Sequence, residues 1–152
     1  MKVLLKLVLF AFSVLVVPGV VHAAERGTLQ DAVAMVQKAK AYIKANGNER
    51  AYAEISNPRG QFVKGDIYIY VYDQNLKNLA HGGNQRLIGK DLADMKDSDG
   101  NYFNRGLLEA ARKGGGTYQF KFLNPATHEI EEKTGYSEMV GDVMVGSGAY
   151  RK

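Results

Sequence analysis

The segment Ile67-Tyr68-Ile69-Tyr70-Val71-Tyr72 alternates aliphatic and tyrosine residues, and neither set is charged. A period of two is the signature of a strand, in which successive side chains leave on opposite faces. One face is therefore aliphatic and the other a ladder of tyrosines. A strand with no polar face has to be covered on both sides. That requirement excludes a sheet open to water on one side and predicts a sheet held between two layers. Asp73-Gln74-Asn75 follows as turn chemistry, and Lys77 to His81 completes the expected hairpin.

Candidates for the covering layers lie on either side of this strand. Leu29, Val33, Val36, Ala39, Tyr42 and Ile43 recur at steps of three and four, which predicts an amphipathic helix from Thr28 to Asn46. Thr28 is its expected cap, Asp31 completes a weak capping box, and Gly47 ends it. A short helix from Glu49 to Ile55 stops at Asn57-Pro58 and the turn Arg59-Gly60. Beyond the hairpin, Gly82 to Gly100 is polar and rich in turn formers, with little regular structure expected. Tyr102 to Lys113 reads as a helix with Phe103, Leu107, Leu108 and Ala111 on one side, stopped by Gly114-Gly115-Gly116. Thr117 to Leu123 is a predicted strand closed by Asn124-Pro125. Lys133 to Val140 and Val143 to Tyr150 form a second hairpin about Gly141-Asp142. The order predicts an α+β domain with about five mostly antiparallel strands, the long helix on one face and the crossover 82–113 on the other. No repeat, low-complexity tract or linker divides it.

The N-terminus reads differently. Lys2 and Lys6 make a short basic segment before a run from Leu7 to Val17 that is apolar apart from Ser13, Pro18-Gly19 breaks it, and Val21-His22-Ala23 offers a cleavage site. This is the three-part pattern of a secretory signal, expected to occupy residues 1–23 and to leave a domain at 24–152. The run is shorter than the roughly 20 residues that span a bilayer. The mature form is therefore expected to be exported, periplasmic in a Gram-negative cell, and not membrane-spanning. The whole chain of 152 residues carries 20 Lys and Arg against 16 Asp and Glu. Without Lys2 and Lys6 the surplus is small and spread out, which argues against nucleic acid as a partner.

With no cysteine, the chain has no disulfide, thiolate metal site or Cys nucleophile. His81 and His128 lie far apart and outside any HExxH pattern, so no metal site is expected. Asp97-Ser98-Asp99-Gly100-Asn101 departs from the calcium-loop spacing, and Leu108 stands where a bidentate Glu would fall. It reads as turn or capping chemistry. Gly146-Ser147-Gly148 is not a nucleophile elbow, and Gly114-Gly115-Gly116 lacks the Lys-Ser/Thr of a phosphate loop. Nothing assembles a nucleophile, a base and an orienting acid, so no catalytic residue, no cofactor and no enzyme are predicted.

Ala51-Tyr52-Ala53-Glu54-Ile55-Ser56-Asn57-Pro58, Gly60-Gln61-Phe62, Asp66 and Tyr68 to Asp73 together resemble the opening of single Cache domains of the second type. Leu79-Ala80-His81, Gly89-Lys90, Lys96-Asp97-Ser98-Asp99-Gly100, Asn124-Pro125, Lys133-Thr134-Gly135-Tyr136 and Val145-Gly146-Ser147-Gly148-Ala149-Tyr150 continue the likeness in order. The resemblance spans nearly all of 24–152. It implies a PAS-like extracytoplasmic sensor, in which a long N-terminal helix packs on a five-stranded sheet and small carboxylates bind on the other side. Such domains commonly belong to chemoreceptors or histidine kinases. Here the expected form is secreted, without the transmembrane helices and output domain of those receptors, and without the tryptophan often found near the Gly-rich turn.

The candidate ligand site comprises Tyr68, Tyr70, His81, Lys133 and Tyr136. A carboxylate held away from water needs a cation and hydrogen-bond donors; Lys133 would supply the charge, and His81 and the tyrosines the donors. Tyr68 and Tyr70 share a face. Lys133 and Tyr136, three apart, share one only if Gly135 forms a bulge or Lys133 reaches in from the preceding loop. The same residues in other settings are ordinary core: a tyrosine stripe, a structural histidine, a solvated lysine. The expected function is binding of a small organic acid without catalysis. The alternative is an interaction module that docks on a membrane receptor or transporter without a ligand of its own. Convergence of these side chains on an enclosed cavity discriminates the two.

Overall fold

The computed structural model describes residues 26–151; the leader expected at 1–23 lies outside them. The first element is helix α1 (Leu29–Asn46), and Thr28 caps it as the sequence predicts. The Thr28 hydroxyl accepts from Asp31 N while the Asp31 carboxylate accepts from Thr28 N, which completes the capping box. Gly47, at a positive φ of 76°, ends α1 and leads into α2 (Asn48–Ile55).

The remaining elements are β1 (Val63–Lys64), β2 (Ile67–Tyr68), β3 (Tyr70–Tyr72), β4 (Asn78–His81), α3 (Phe103–Arg112), β5 (Gly116–Leu123), β6 (Ile130–Val140) and β7 (Val143–Tyr150), with a 3-10 turn at Gln85–Leu87. Five strands form one antiparallel sheet in the order β4-β3-β7-β6-β5, and β1 and β2 make a separate small hairpin. The predicted strand from Ile67 to Tyr72 is divided at Ile69. The Ile69 amide donates to Phe62 O at 3.1 Å and its carbonyl accepts from Gly82 N at 2.9 Å, which takes its backbone out of the ladder. The two-residue strand β1, before the turn Gly65-Asp66, carries no period long enough to be read from sequence.

Side-chain alternation survives the interruption. Ile69 and Val71 pack with Val36, Ala39 and Ile43 of α1 and with Ala51 and Ile55 of α2. Tyr68, Tyr70 and Tyr72 pack on the opposite face with Phe103, Leu107, Phe120, Met144 and Tyr150. Both faces are covered, as a strand without a polar side demands. The crossover 82–100 has only the 3-10 turn, yet its backbone is pinned to β4: Asn78 N donates to Lys90 O at 2.9 Å and Gly89 N donates to Asn78 O at 2.8 Å. α3 then lies across β5 and β6, with the Ser137 hydroxyl donating to Leu107 O at 2.7 Å. Strand β6 begins at Ile130, three residues before the predicted Lys133, because Glu131 and Glu132 extend the pairing with β5.

Candidate functional site

Lys133 is the fourth residue of β6, opposite Phe120 of β5 and Tyr150 of β7, and its side chain points to the α3 face. It is 1% exposed. Its ammonium lies 3.9 Å from the centroid of the Tyr68 ring and 4.4 Å from that of Tyr150, and it donates to the Tyr150 hydroxyl at 3.3 Å. Among the described residues no carboxylate comes within ion-pair distance of it. Ring faces attract a cation, but they do not replace the anion that a buried charge ordinarily requires. Burial accordingly lowers the Lys133 pKa to about 7, against a smaller upward pull from Asp66.

His81, at the end of β4, is 2% exposed and stacks against Tyr68 and Tyr70 with centroids 5.1 and 6.1 Å apart. Its Nδ1 accepts from Gly83 N at 3.2 Å and Asn84 N at 2.9 Å. With Nδ1 an acceptor, the ring is neutral and its proton is on Nε2. Burial, and then the nearby Lys133 charge, holds its pKa down at about 3. The Tyr68 and Tyr150 hydroxyls are 3.1 Å apart, Tyr150 donates onward to Leu123 O at 2.8 Å, and Tyr70 donates to Ser147 O at 3.1 Å. Burial pushes the phenols of Tyr68 and Tyr70 well above their usual range, so they remain donors.

Four of the five expected site residues, Tyr68, Tyr70, His81 and Lys133, therefore converge. Tyr136 does not join them. β6 runs through Lys133 to Val140 in unbroken register, without a bulge at Gly135, so residues three apart leave on opposite faces. Tyr136 packs on the α1 side and donates to Glu138, which also accepts from Lys40 at 2.7 Å. The bond to Glu138, more than burial, raises the Tyr136 pKa to about 12. This cluster fastens α1 to the sheet.

Tyr68, Tyr70, Tyr72, His81, Phe103, Asn104, Leu107, Phe120, Phe122 and Lys133 line a void of about 10 Å³. Tyr68 and Phe122 also line a larger depression of about 590 Å³, bordered by Gly83 to Leu87, by 95–98 and by 121–130. Two rings thus separate the buried cation from an open basin. The exposed His128 lies in that basin, away from His81. Among the described residues no group of His, Asp and Glu is arranged to hold a metal. Asp97 instead closes a turn, its carboxylate accepting from Asp99 N at 3.0 Å and Asn101 N at 2.8 Å. It does not cap α3, whose first turn follows Tyr102 without a side-chain cap.

The sequence profile of the family described as single Cache domain 2 matches residues 23–152. The chain belongs to this family. Curated relatives include the sensor histidine kinase MctS of Rhizobium johnstonii, 31% identical over 87 residues, and the methyl-accepting chemotaxis protein CtpM of Pseudomonas aeruginosa, 38% identical over 71 residues. The matches take in 56% and 46% of this chain, but only 19% and 13% of those longer proteins. Among solved structures, a methyl-accepting chemotaxis protein from Vibrio parahaemolyticus superposes with a TM-score of 0.70 at 27% identity, covering 80% of this chain and 86% of that one. A Cache chemosensory domain whose structure is described as the basis for carboxylic acid recognition superposes with a TM-score of 0.62 at 24% identity, covering 82% and 88%. Single Cache domains are extracytoplasmic sensor modules, and their fold is the PAS-like α+β arrangement seen here. No helix among the described residues is long and apolar enough to cross a membrane.

In this Cache domain several site residues carry little signal in the sequence. Tyr150 enters because β7 pairs with β6 in a register that sets it beside Lys133. Asn104 reads as an ordinary helix residue, yet it is 1% exposed and faces the void. Gly135, Gly146 and Gly148 lie directly beneath side chains that line the void. A methyl group at Gly146 would stand 2.3 Å from the Tyr70 ring, one at Gly135 2.7 Å from Leu107, and one at Gly148 2.9 Å from Lys133 Cε. The alternation of glycine with Ser147 and Ala149 is the sequence trace of that arrangement, since all three glycines share the α3 face.

Proposed function

We propose that this Cache domain binds a small organic acid as its anion at Lys133, without making or breaking a bond. The observation that carries the proposal is a buried ammonium with aromatic neighbours and no acid partner among the described residues. A carboxylate there supplies the missing counter-charge, and its second oxygen can accept from His81 Nε2–H, or from the Tyr68 hydroxyl once that ring moves away from Tyr150. Apart from Asn104, the remaining walls are apolar and aromatic, which suits a small hydrocarbon body. Entry requires Tyr68 and Phe122 to swing toward the basin they also line, joining void and basin into one cleft. The neighbour described as recognising a carboxylic acid supports the same chemistry by fold alone.

Removal of residues 1–23 and export of the 24–152 domain belong to this proposal, as does a membrane receptor or transporter partner that reads the occupied state. Size bounds the affinity. An acetate ion has four heavy atoms, and a ceiling of about 1.5 kcal/mol per atom gives about 6 kcal/mol, or a Kd of tens of micromolar at best. Calorimetric titration of the chain with two- to four-carbon carboxylates is expected to give micromolar to millimolar binding. Silence across that panel at millimolar concentrations overturns the proposal and leaves the docking module as the better reading.

A further inference from the structure

The lining of the void holds one polar atom that the carboxylate reading does not use. Asn104, in the first turn of α3, donates from Nδ2 to Leu92 O at 3.0 Å. That bond fixes the orientation of the amide and leaves Oδ1 as the free end. Oδ1 is buried and has no hydrogen-bond partner. A buried carbonyl oxygen without a donor is costly, and folds retain few of them. Here the orphan belongs to a residue that lines the same void as Lys133 and His81.

We propose that the acid recognised at Lys133 carries a hydroxyl group that donates to Asn104 Oδ1. The inference rests on Lys133 being the carboxylate site and adds the class of acid. Simple alkanoates bring no donor and would leave Oδ1 dry and unpaired. A keto acid would set a carbonyl oxygen against it, acceptor facing acceptor. An amino acid would bring a donor, but as an ammonium beside the Lys133 cation. A hydroxyl is a neutral donor, and its oxygen can still accept from His81 Nε2–H or a tyrosine. The void of about 10 Å³ is at the lower bound of the roughly 10–15 Å³ needed for one water, so a hydroxyl placed there displaces at most a single water. A site built around a hydroxyl rejects the analogue lacking it far more strongly than an apolar pocket rejects a missing methylene.

The test is calorimetric titration of the chain with matched pairs: glycolate and acetate, lactate and propionate, 3-hydroxybutyrate and butyrate. The hydroxy member of at least one pair is expected to bind about tenfold or more tighter than its partner. In Asn104→Leu the preference should vanish: the two members of each pair should bind with equal affinity. Equal affinities within every pair, measured on the unaltered chain, overturn the hydroxyl proposal while leaving the carboxylate site standing. That comparison does not depend on Asn104→Leu folding. Retention of the preference by a folded Asn104→Leu protein, checked by thermal unfolding, also overturns it. No binding by any of the six acids overturns both readings together.

Discussion

At the scale of single residues, the binding role proposed for Lys133 pulls against stability. A buried ammonium held only by ring faces and one phenol costs the fold free energy that an apolar side chain of similar length would not. Lys133→Met is therefore expected to keep or raise the melting temperature while weakening acid binding by about a hundredfold, the loss of about 3 kcal/mol for a desolvated charge-assisted pair. Calorimetry and thermal unfolding of the same sample read both effects; a melting temperature that falls together with affinity would assign Lys133 to the core. His81 behaves differently, because its Nδ1 holds two backbone amides at the start of the crossover. His81→Phe keeps the stacked ring but strands Gly83 N and Asn84 N. It should destabilise by about 1–3 kcal/mol, read as a lower denaturation midpoint, and should speed hydrogen exchange first in 82–87.

At the scale of elements, the candidate site depends on β7 carrying glycine at both 146 and 148 on its α3 face. Gly146→Ala places a methyl 2.3 Å from a Tyr70 ring carbon, a distance that forces the ring to move. The change is expected to destabilise by about 1–3 kcal/mol and to weaken acid binding at least tenfold, whereas Ala149→Gly on the opposite face should leave affinity unchanged. Denaturant unfolding and titration of the two variants check this. The same strand shows what can be read without coordinates. Helix α1, its Thr28 cap, the tyrosine ladder and the Gly141-Asp142 hairpin follow from local period and turn chemistry, and the structure has them where expected. The break at Ile69 and the meeting of Tyr150 with Lys133 depend on pairing between segments far apart in sequence. No local pattern encodes such a register. Strand parity alone, once β6 is known to be regular, excludes Tyr136 from the site. Asn104 is invisible for another reason: the orientation of its amide is set by one hydrogen bond to Leu92 O, which the sequence does not announce.

At the scale of the whole molecule, the two buried bases make stability a function of pH in separate windows. His81 falls from an ordinary 6.5 to about 3 on folding, so the unfolded chain binds the extra proton between those values, and stability is lost as pH drops from 6.5 toward 3. Lys133 falls from 10.5 to about 7, so the unfolded chain again holds the proton that the fold releases, and stability climbs from about pH 7 upward. The climb stops near pH 10. There the buried phenols, raised by burial in Tyr68, Tyr70 and Tyr150, hold protons that the unfolded chain gives up. Urea unfolding from pH 6 to 10 should show a rising midpoint between 7 and 10, and Lys133→Met should flatten it. A bound carboxylate reverses the balance by stabilising the ammonium. Above pH 7 binding must then draw a proton onto Lys133, and affinity should fall by about tenfold per pH unit. Titrations in two buffers of different ionisation enthalpy at pH 8.5 should report uptake of close to one proton per acid bound. Equal heats in the two buffers would mean that the anion binds where it does not meet Lys133.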